Sequence, residues 1–385
     1  MIYLPFSAPL PAFQKQAAEL LDGHRAGNPK AIELFHHKHP RFLDEQVVWL
    51  PKRIPDSEIQ AAELGIEDAQ MVIARVYDFQ DWTALTEFAQ AVLDPYSEVF
   101  QFEAAVDAVV NGDLAALTAA IGANPQILHA RSTRRTHFDP PVHRATLLHY
   151  IGANGVEGYR QKTPKNAVEI ATILLKNGAE PDSLAELYGG EWTTMGLLVS
   201  SCHPAEAGLQ CALVDTLVDF GASVEAFGSG PWRTPIMTAL AFGCADAAHA
   251  LLNRGAKMDN LAVAAGVGRI AQARQLLETA DADTRHSALV LAAQEGHAEI
   301  VAMLLDAGED PDRFNPEGNH AHSTPLHQAA LAGREAVVRL LVERGASTEI
   351  EDTIYHSTPL GWAEHGGQTA VAAYLRGVTA PKKVL

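Results

Sequence analysis

Four groups of side chains in this 385-residue chain have the types and spacing for chemistry. The first is Tyr159, Arg160 and Lys162, in the stretch GANGVEGYRQKTPKNAVEIA that joins two apolar runs. A planar guanidinium beside an amphipathic ring and an ammonium suits a carboxylate or another anion. The alternative is a loop packed over a helix end, with Arg160 paired to Glu206 or capping carbonyls. Cys202 and His203 lie in a second interruption, CHPAEAGLQCAL. They suggest a nucleophile pair, but neighbours in sequence seldom face each other and no pattern supplies an oxyanion hole.

The third group is Arg131, Arg134, Arg135 and Arg144, with His129, His137 and His143, a basic cluster in an acidic chain. It would hold an acidic peptide or a phosphate, or else form a solvated finger that balances the acidic body. The fourth lies near the C-terminus. His320, His322 and His356 are weak candidates for a transition metal held by neutral imidazoles. Glu364, beside Trp362 and His365, interrupts a helix of small residues, where a carboxylate needs water or a partner. If the chain is an enzyme, Glu364, His322, His356, Arg160 and Tyr159 are the residues for acid–base work. No Walker loop, nucleophile elbow or HExxH occurs, and no cofactor is expected. His36, His37 and His39 lack the i, i+4 spacing that converges ligands on a helix face. GVGRIA, from Gly266, matches a dinucleotide pattern but follows no strand.

Composition narrows the function classes. The apolar fraction of 47% and charged fraction of 20% are those of a folded protein. A formal charge of -18 repels nucleic acid and anionic membranes. Cys202, Cys211 and Cys244 are too few for a disulfide framework, which points to a reducing, cytoplasmic setting. The start, MIYLPFSAPLPAF, lacks the basic head of a secretory signal, and no stretch has the length of a membrane span.

The elements that must position these groups come from a repeat. TPLHQAALAGREAVVRLLVERGA begins at Thr324 and TPLGWAEHGGQTAVAAYL at Thr358, 34 residues later. Each predicts a short helix, a glycine turn and a second helix. Thr324 and Pro325 start the first helix, and Gly333 and Gly345 end the two. Weaker copies begin near Ser287, Asn260, Thr234, Thr193, Thr146 and Phe102. A single pair cannot bury both faces, so the units must stack.

These motifs resemble the ankyrin repeat. The resemblance implies an all-α solenoid of about seven helix–turn–helix units over residues 100–377, with β-hairpin or loop fingers. It also implies a structural role for the TPLH histidine, His327. Residues 1–95 lack the repeat but carry four helix-spaced stretches, with Asn28 and Asp81 as starts, and are expected to form a helical domain. That segment looks like the one preceding ankyrin repeats in some bacterial proteins. Residues 378–385 are expected to be a tail.

Gly333 and Gly345 are 12 residues apart, whereas Gly155 and Gly178 are 23 apart and Cys202 and Gly221 are 19 apart. Two adjacent units are therefore enlarged, at 156–162 and 202–212. The insertions are expected side by side, away from the fingers, with Thr163 and Pro164 starting the next helix. The function expected is non-catalytic recognition of a protein or peptide in the concave groove, with Trp192, Trp232, Trp362, Tyr355 and the basic finger as anchors. The alternative is an enzyme or small-molecule sensor whose pocket is walled by the two insertions, with Tyr159, Arg160, Lys162 and His203 at its edge.

Overall fold

Helices begin where the sequence offers a cap. Asn28 accepts the Lys30 amide ahead of Pro29–Lys38, and Asp81 accepts the Ala84 amide ahead of Trp82–Ala91. Thr193, Thr234 and Asn260 do the same for Thr194–Val199, Pro235–Ala241 and Leu261–Gly266. Gly333, at φ 70°, turns the chain between two helices of one pair, and an added Cβ there would lie 2.3 Å from Gln368.

The computed structural model describes residues 3–229 and 234–379, so the expectation at Trp232 lies outside it, as do residues 380–385 of the expected tail, whose first two residues belong instead to the helix Thr369–Thr379. The chain divides into two units, Met1–Gly221 and Ala222–Leu385. The first holds helices Leu10–Arg25, Pro29–Lys38, Asp56–Ala61, Ile66–Val76 and Trp82–Ala91, followed by three helix pairs. Those pairs are Glu98–Asn111 with Leu114–Ala123, the 3-10 turn Leu147–Gly152 with Ala167–Lys176, and Thr194–Val199 with Gln210–Asp219. The finger ahead of the third pair is a two-stranded antiparallel hairpin, Leu184–Leu187 with Gly190–Thr193, in which Ala185 faces Trp192.

The second unit holds five pairs: Pro235–Ala241 with Ala245–Asn253, Leu261–Gly266 with Ile270–Leu277, Ala282–Glu295 with Ala298–Asp306, Pro325–Leu331 with Glu335–Glu343, and Pro359–His365 with Thr369–Thr379. Its core alternates small and large layers. Ala264, Ala288, Ala292, Ala329 and Ala330 let first helices approach closely, while Leu304, Val337 and Leu341 fill the space toward second helices. Each such leucine contributes about 2 kcal/mol by burial. The architecture is the all-α ankyrin arrangement plus a helical region. The described residues contain eight pairs in all, against the expected seven or so.

Two predicted helix starts move. The sixth pair begins at Ala282 rather than near Ser287, because Asp281 accepts the Thr284 amide and the link 278–281 is too short for a finger. The second helix of the second pair begins at Ala167 rather than Thr163. Pro164 instead accepts the Ala167 amide in a turn, and Asn166 donates to the Gly112 carbonyl of the preceding pair.

Candidate functional site

The Tyr159–Arg160 stretch folds inward, toward the finger side. The 3-10 turn Gly158–Arg160 is pinned by Asp78, whose carboxylate accepts the Gly158 amide at 2.6 Å. Arg160 is 1% exposed. It donates from Nη1 to Glu103 Oε2 at 2.5 Å and from Nη2 to Asp107 Oδ1 at 2.8 Å. Arg134 enters from the basic finger and grips both Glu103 oxygens, at 3.2 and 2.9 Å, while its Nε lies 2.7 Å from Glu157 Oε1. Its guanidinium lies over Phe88 and Phe79, 4.3 and 4.9 Å from the ring centroids. Tyr159 accepts from Arg134 Nη2 at 3.1 Å and stacks on Tyr3 with centroids 5.2 Å apart.

Two buried arginines thus face two buried glutamates, with Asp107 at the edge. Isolated charges in such a place would cost several kcal/mol each, so the cluster holds only as a whole. Burial pushes the Glu103 carboxyl up, but Arg134 and Arg160 overcome it and hold the group down at about 2. Glu157 is lowered by the same two arginines against the same burial. Burial pushes Tyr159 up to about 12, so it remains a neutral phenol. The anion that Arg160 was expected to recognise is therefore supplied by the protein itself, from Glu103, Asp107 and Glu157 rather than Glu206. Arg160 is closed to solvent and Tyr159 is half-buried. Lys162 is exposed and donates to Asn111 at 2.8 Å. A cavity of about 90 Å³ remains beside the loop, lined by Asp78, Thr136, His143, Glu157, Gln161 and Tyr188 among others. It has room for about three waters, well short of the roughly 300–1,000 Å³ of a small-molecule site.

The other residues of the basic finger also serve the fold. Arg131 donates to the Arg144 carbonyl at 2.9 Å and to that of Leu184. Arg135 pairs with Glu87 at 2.7 Å near the surface, and its carbonyl accepts the Gln80 amide. Arg144 is exposed, with its amide bound to the Glu186 carbonyl. His143 donates from Nε2 to the Gly155 carbonyl at 3.1 Å, and His137 stacks on Phe138, where burial lowers it to about 4. The N-terminal helices cover this finger, since Phe79 bridges to Thr136 and both Phe79 and Phe88 hold Arg134.

In the second unit, the fingers and first helices of the last two pairs leave a cleft of about 450 Å³, lined by His320, His322, Gln328, Tyr355, Trp362 and His365 among others. His322 lies 5.6 Å from Trp362 and 5.9 Å from both Tyr355 and His320, centroid to centroid. Tyr355 is 40% exposed. Trp362 is buried at its edge and donates its indole N–H to Asp352 at 2.9 Å. Asp352 also accepts the amides of Ile354, Tyr355 and Ser357, which builds the finger turn. Burial pushes the Asp352 carboxyl up, but the Trp362 indole and these amides hold it below its ordinary value.

The histidines divide by role. His327 accepts the Thr324 amide at Nδ1 and donates from Nε2 to the Ser357 carbonyl of the next finger, at 3.2 and 3.1 Å. His149 makes the same bridge from Thr146 to Ser183. His320 donates to the Ala241 carbonyl at 3.0 Å. His356 is exposed and outside the cleft lining, and no group of three or more metal-ligating side chains converges among the described residues. Glu364 does not line the cleft either. It pairs with Arg376 at 2.5 Å on an exposed face. Its counterpart Ala330 is buried against the last pair, whereas no further pair covers Glu364 among the described residues.

Trp192 is buried in the hairpin, His203 is half-buried on the short helix Cys202–Glu206, and the exposed Cys202 is a free thiol. In the HHKH stretch, His36 donates to the Lys52 carbonyl, His37 to that of Glu33, and His39 contacts Asp68. Sequence reasoning missed Glu103, Glu157 and Asp352. Glu103 alone carried a signal, as a carboxylate inside the apolar run FEAAVDAVV.

Residues 261–352 match the family model for ankyrin repeats, in three copies. The E3 ubiquitin-protein ligase KEG of Arabidopsis thaliana is 25% identical over 237 residues, which are 60% of this chain and 13% of that protein. The putative E3 ubiquitin-protein ligase XBAT31 of Arabidopsis thaliana is 37% identical over 83 residues, 22% of this chain and 17% of that one. Ankyrin repeat and SAM domain-containing protein 6 of Mus musculus is 32% identical over 95 residues, 25% of this chain and 10% of that one. The chain thus spans less than a fifth of each of these relatives. Ankyrin repeats imply a scaffold for protein–protein interaction, and among the described residues no helix is long and apolar enough to cross a membrane.

Proposed function

We propose that this protein binds a protein partner without catalysing a reaction on it, and that a segment of the partner anchors in the cleft of the last two repeat pairs. The observation that carries the reading is Tyr355, an exposed ring beside Trp362 and His322 in a cleft of about 450 Å³. Aromatic anchors set in pockets are where binding energy concentrates. The residues that favoured an enzyme pocket, Tyr159 and Arg160, are committed to the internal ion cluster, and the cavity beside them is too small for a metabolite. Three cysteines, none in a disulfide, fit a cytoplasmic setting, and the charge of -18 disfavours nucleic acid as the partner.

The test is capture from source-cell lysate on the immobilised full chain, run in parallel with Tyr355→Ala. Tyr355 is exposed enough for the variant to keep its melting temperature. A partner retained by the wild type and at least about 10-fold less by the variant supports the cleft. Equal retention by both proteins places the partner elsewhere and removes this reading.

A further inference from the structure

The geometry points to a cationic side chain, a lysine ammonium or an arginine guanidinium on the partner segment, as the anchor that the cleft accepts. This rests on the proposed use of the cleft and adds its chemistry. Tyr355 and Trp362 each lie within 6 Å of His322, centroid to centroid, and all three rings line the cleft. Cations are drawn to such faces, most strongly to tryptophan, once water is displaced.

Charge selects among the possible occupants. The described residues lining the cleft include no lysine or arginine. They include no carboxylate either, but Asp352 accepts the Trp362 indole N–H, and the finger segments 307–324 and 344–358 carry seven acids, with Glu317, Glu349 and Glu351 exposed, against Arg313 and Arg344. Burial lowers His322, which is therefore neutral at pH 7 and does not oppose a cation. An acidic anchor would meet this excess of negative charge, which an apolar one would leave uncompensated.

The chain also solves the same recognition problem internally, most closely at two arginines. Arg134 lies 4.3 Å from the Phe88 centroid while Glu103 takes its N–H groups. Arg339 lies 4.2 Å from the Tyr374 centroid while Glu335 accepts at 2.7 Å. In both cases a ring carries the flat face of the guanidinium and a carboxylate takes its edge. In the cleft, Tyr355 and Trp362 supply the rings and the acidic finger segments supply the negative charge for a cation brought by the partner.

A random heptapeptide display library panned on the immobilised full chain, and counter-screened on Tyr355→Ala, tests this. Enriched peptides are then synthesised with each lysine replaced by norleucine and each arginine by citrulline. The expected result is enrichment of a lysine or arginine, dependence on Tyr355, and about 10-fold weaker binding after the neutral replacement, in line with a desolvated cation–π contact. Peptides that need Tyr355 but carry apolar or acidic anchors, or that tolerate the neutral replacement, overturn the cationic anchor and leave the cleft reading standing. Peptides that bind Tyr355→Ala equally well, or no enrichment at all, overturn both.

Discussion

The second and seventh repeat pairs are built on the same turn and meet opposite fates. Each opens with a threonine and a histidine three residues later, and each histidine reaches a serine carbonyl in the next finger, His149 to Ser183 and His327 to Ser357. Around the second pair, the finger lies beneath the N-terminal helices and is closed by Glu103, Arg134, Glu157 and Arg160. Around the seventh, the finger residues His320 and His322 face an open cleft with Tyr355 and Trp362. A shared turn therefore says where a finger stands, not whether its face is free. What decides is whether the chain carries its own side chains to fill it, and buried arginines mark the face that is already filled.

The sharpest way to break this contrast is Glu103→Ala. It strands two buried guanidiniums, and the expected loss is about 3–5 kcal/mol in urea denaturation of the full chain. A loss under about 1 kcal/mol would mean that the cluster is not what closes the face.

Acidification should act on both pairs with the same sign. Burial lowers His149 to about 4 and also lowers His327. The unfolded chain takes up these protons near pH 6.5, before the folded chain does. The stabilisation is therefore complete above pH 6.5 and is lost as pH falls toward 4, with about 3 kcal/mol from His149 alone. Urea midpoints at pH 7.5 and pH 5 check this, and a midpoint that rises on acidification contradicts it. The smallest effect belongs to Lys162→Ala, which removes one exposed contact with Asn111 and should change stability by less than about 0.5 kcal/mol while leaving partner capture intact.

The repeat and most helix starts were legible because they depend on neighbours in sequence. Asn28, Asp81, Thr193 and Thr234 cap the helices they precede. Ser287 misled because its register matched the repeat while Asp281 offered an earlier cap. The insertion was legible as extra length but not in its direction. Arg160 and Glu103 lie 57 residues apart, and nothing local distinguishes an arginine that meets a ligand from one that meets a distant glutamate. The cleft was partly legible, since His320, His322 and Trp362 stood out as chemistry-bearing types. Asp352, which orients Trp362, was hidden in an ordinary finger turn.

In the second unit, the link 278–281 between the fifth and sixth pairs has no finger, whereas the segments 307–324 and 344–358 ahead of the last two pairs are long. A long finger pinned at its base by a histidine bridge can change its tip without shifting a helix. Those two segments are thus the natural place to graft a different recognition sequence, and the short link is where the array tolerates least editing, because Asp281 is at once the end of one pair and the cap of the next.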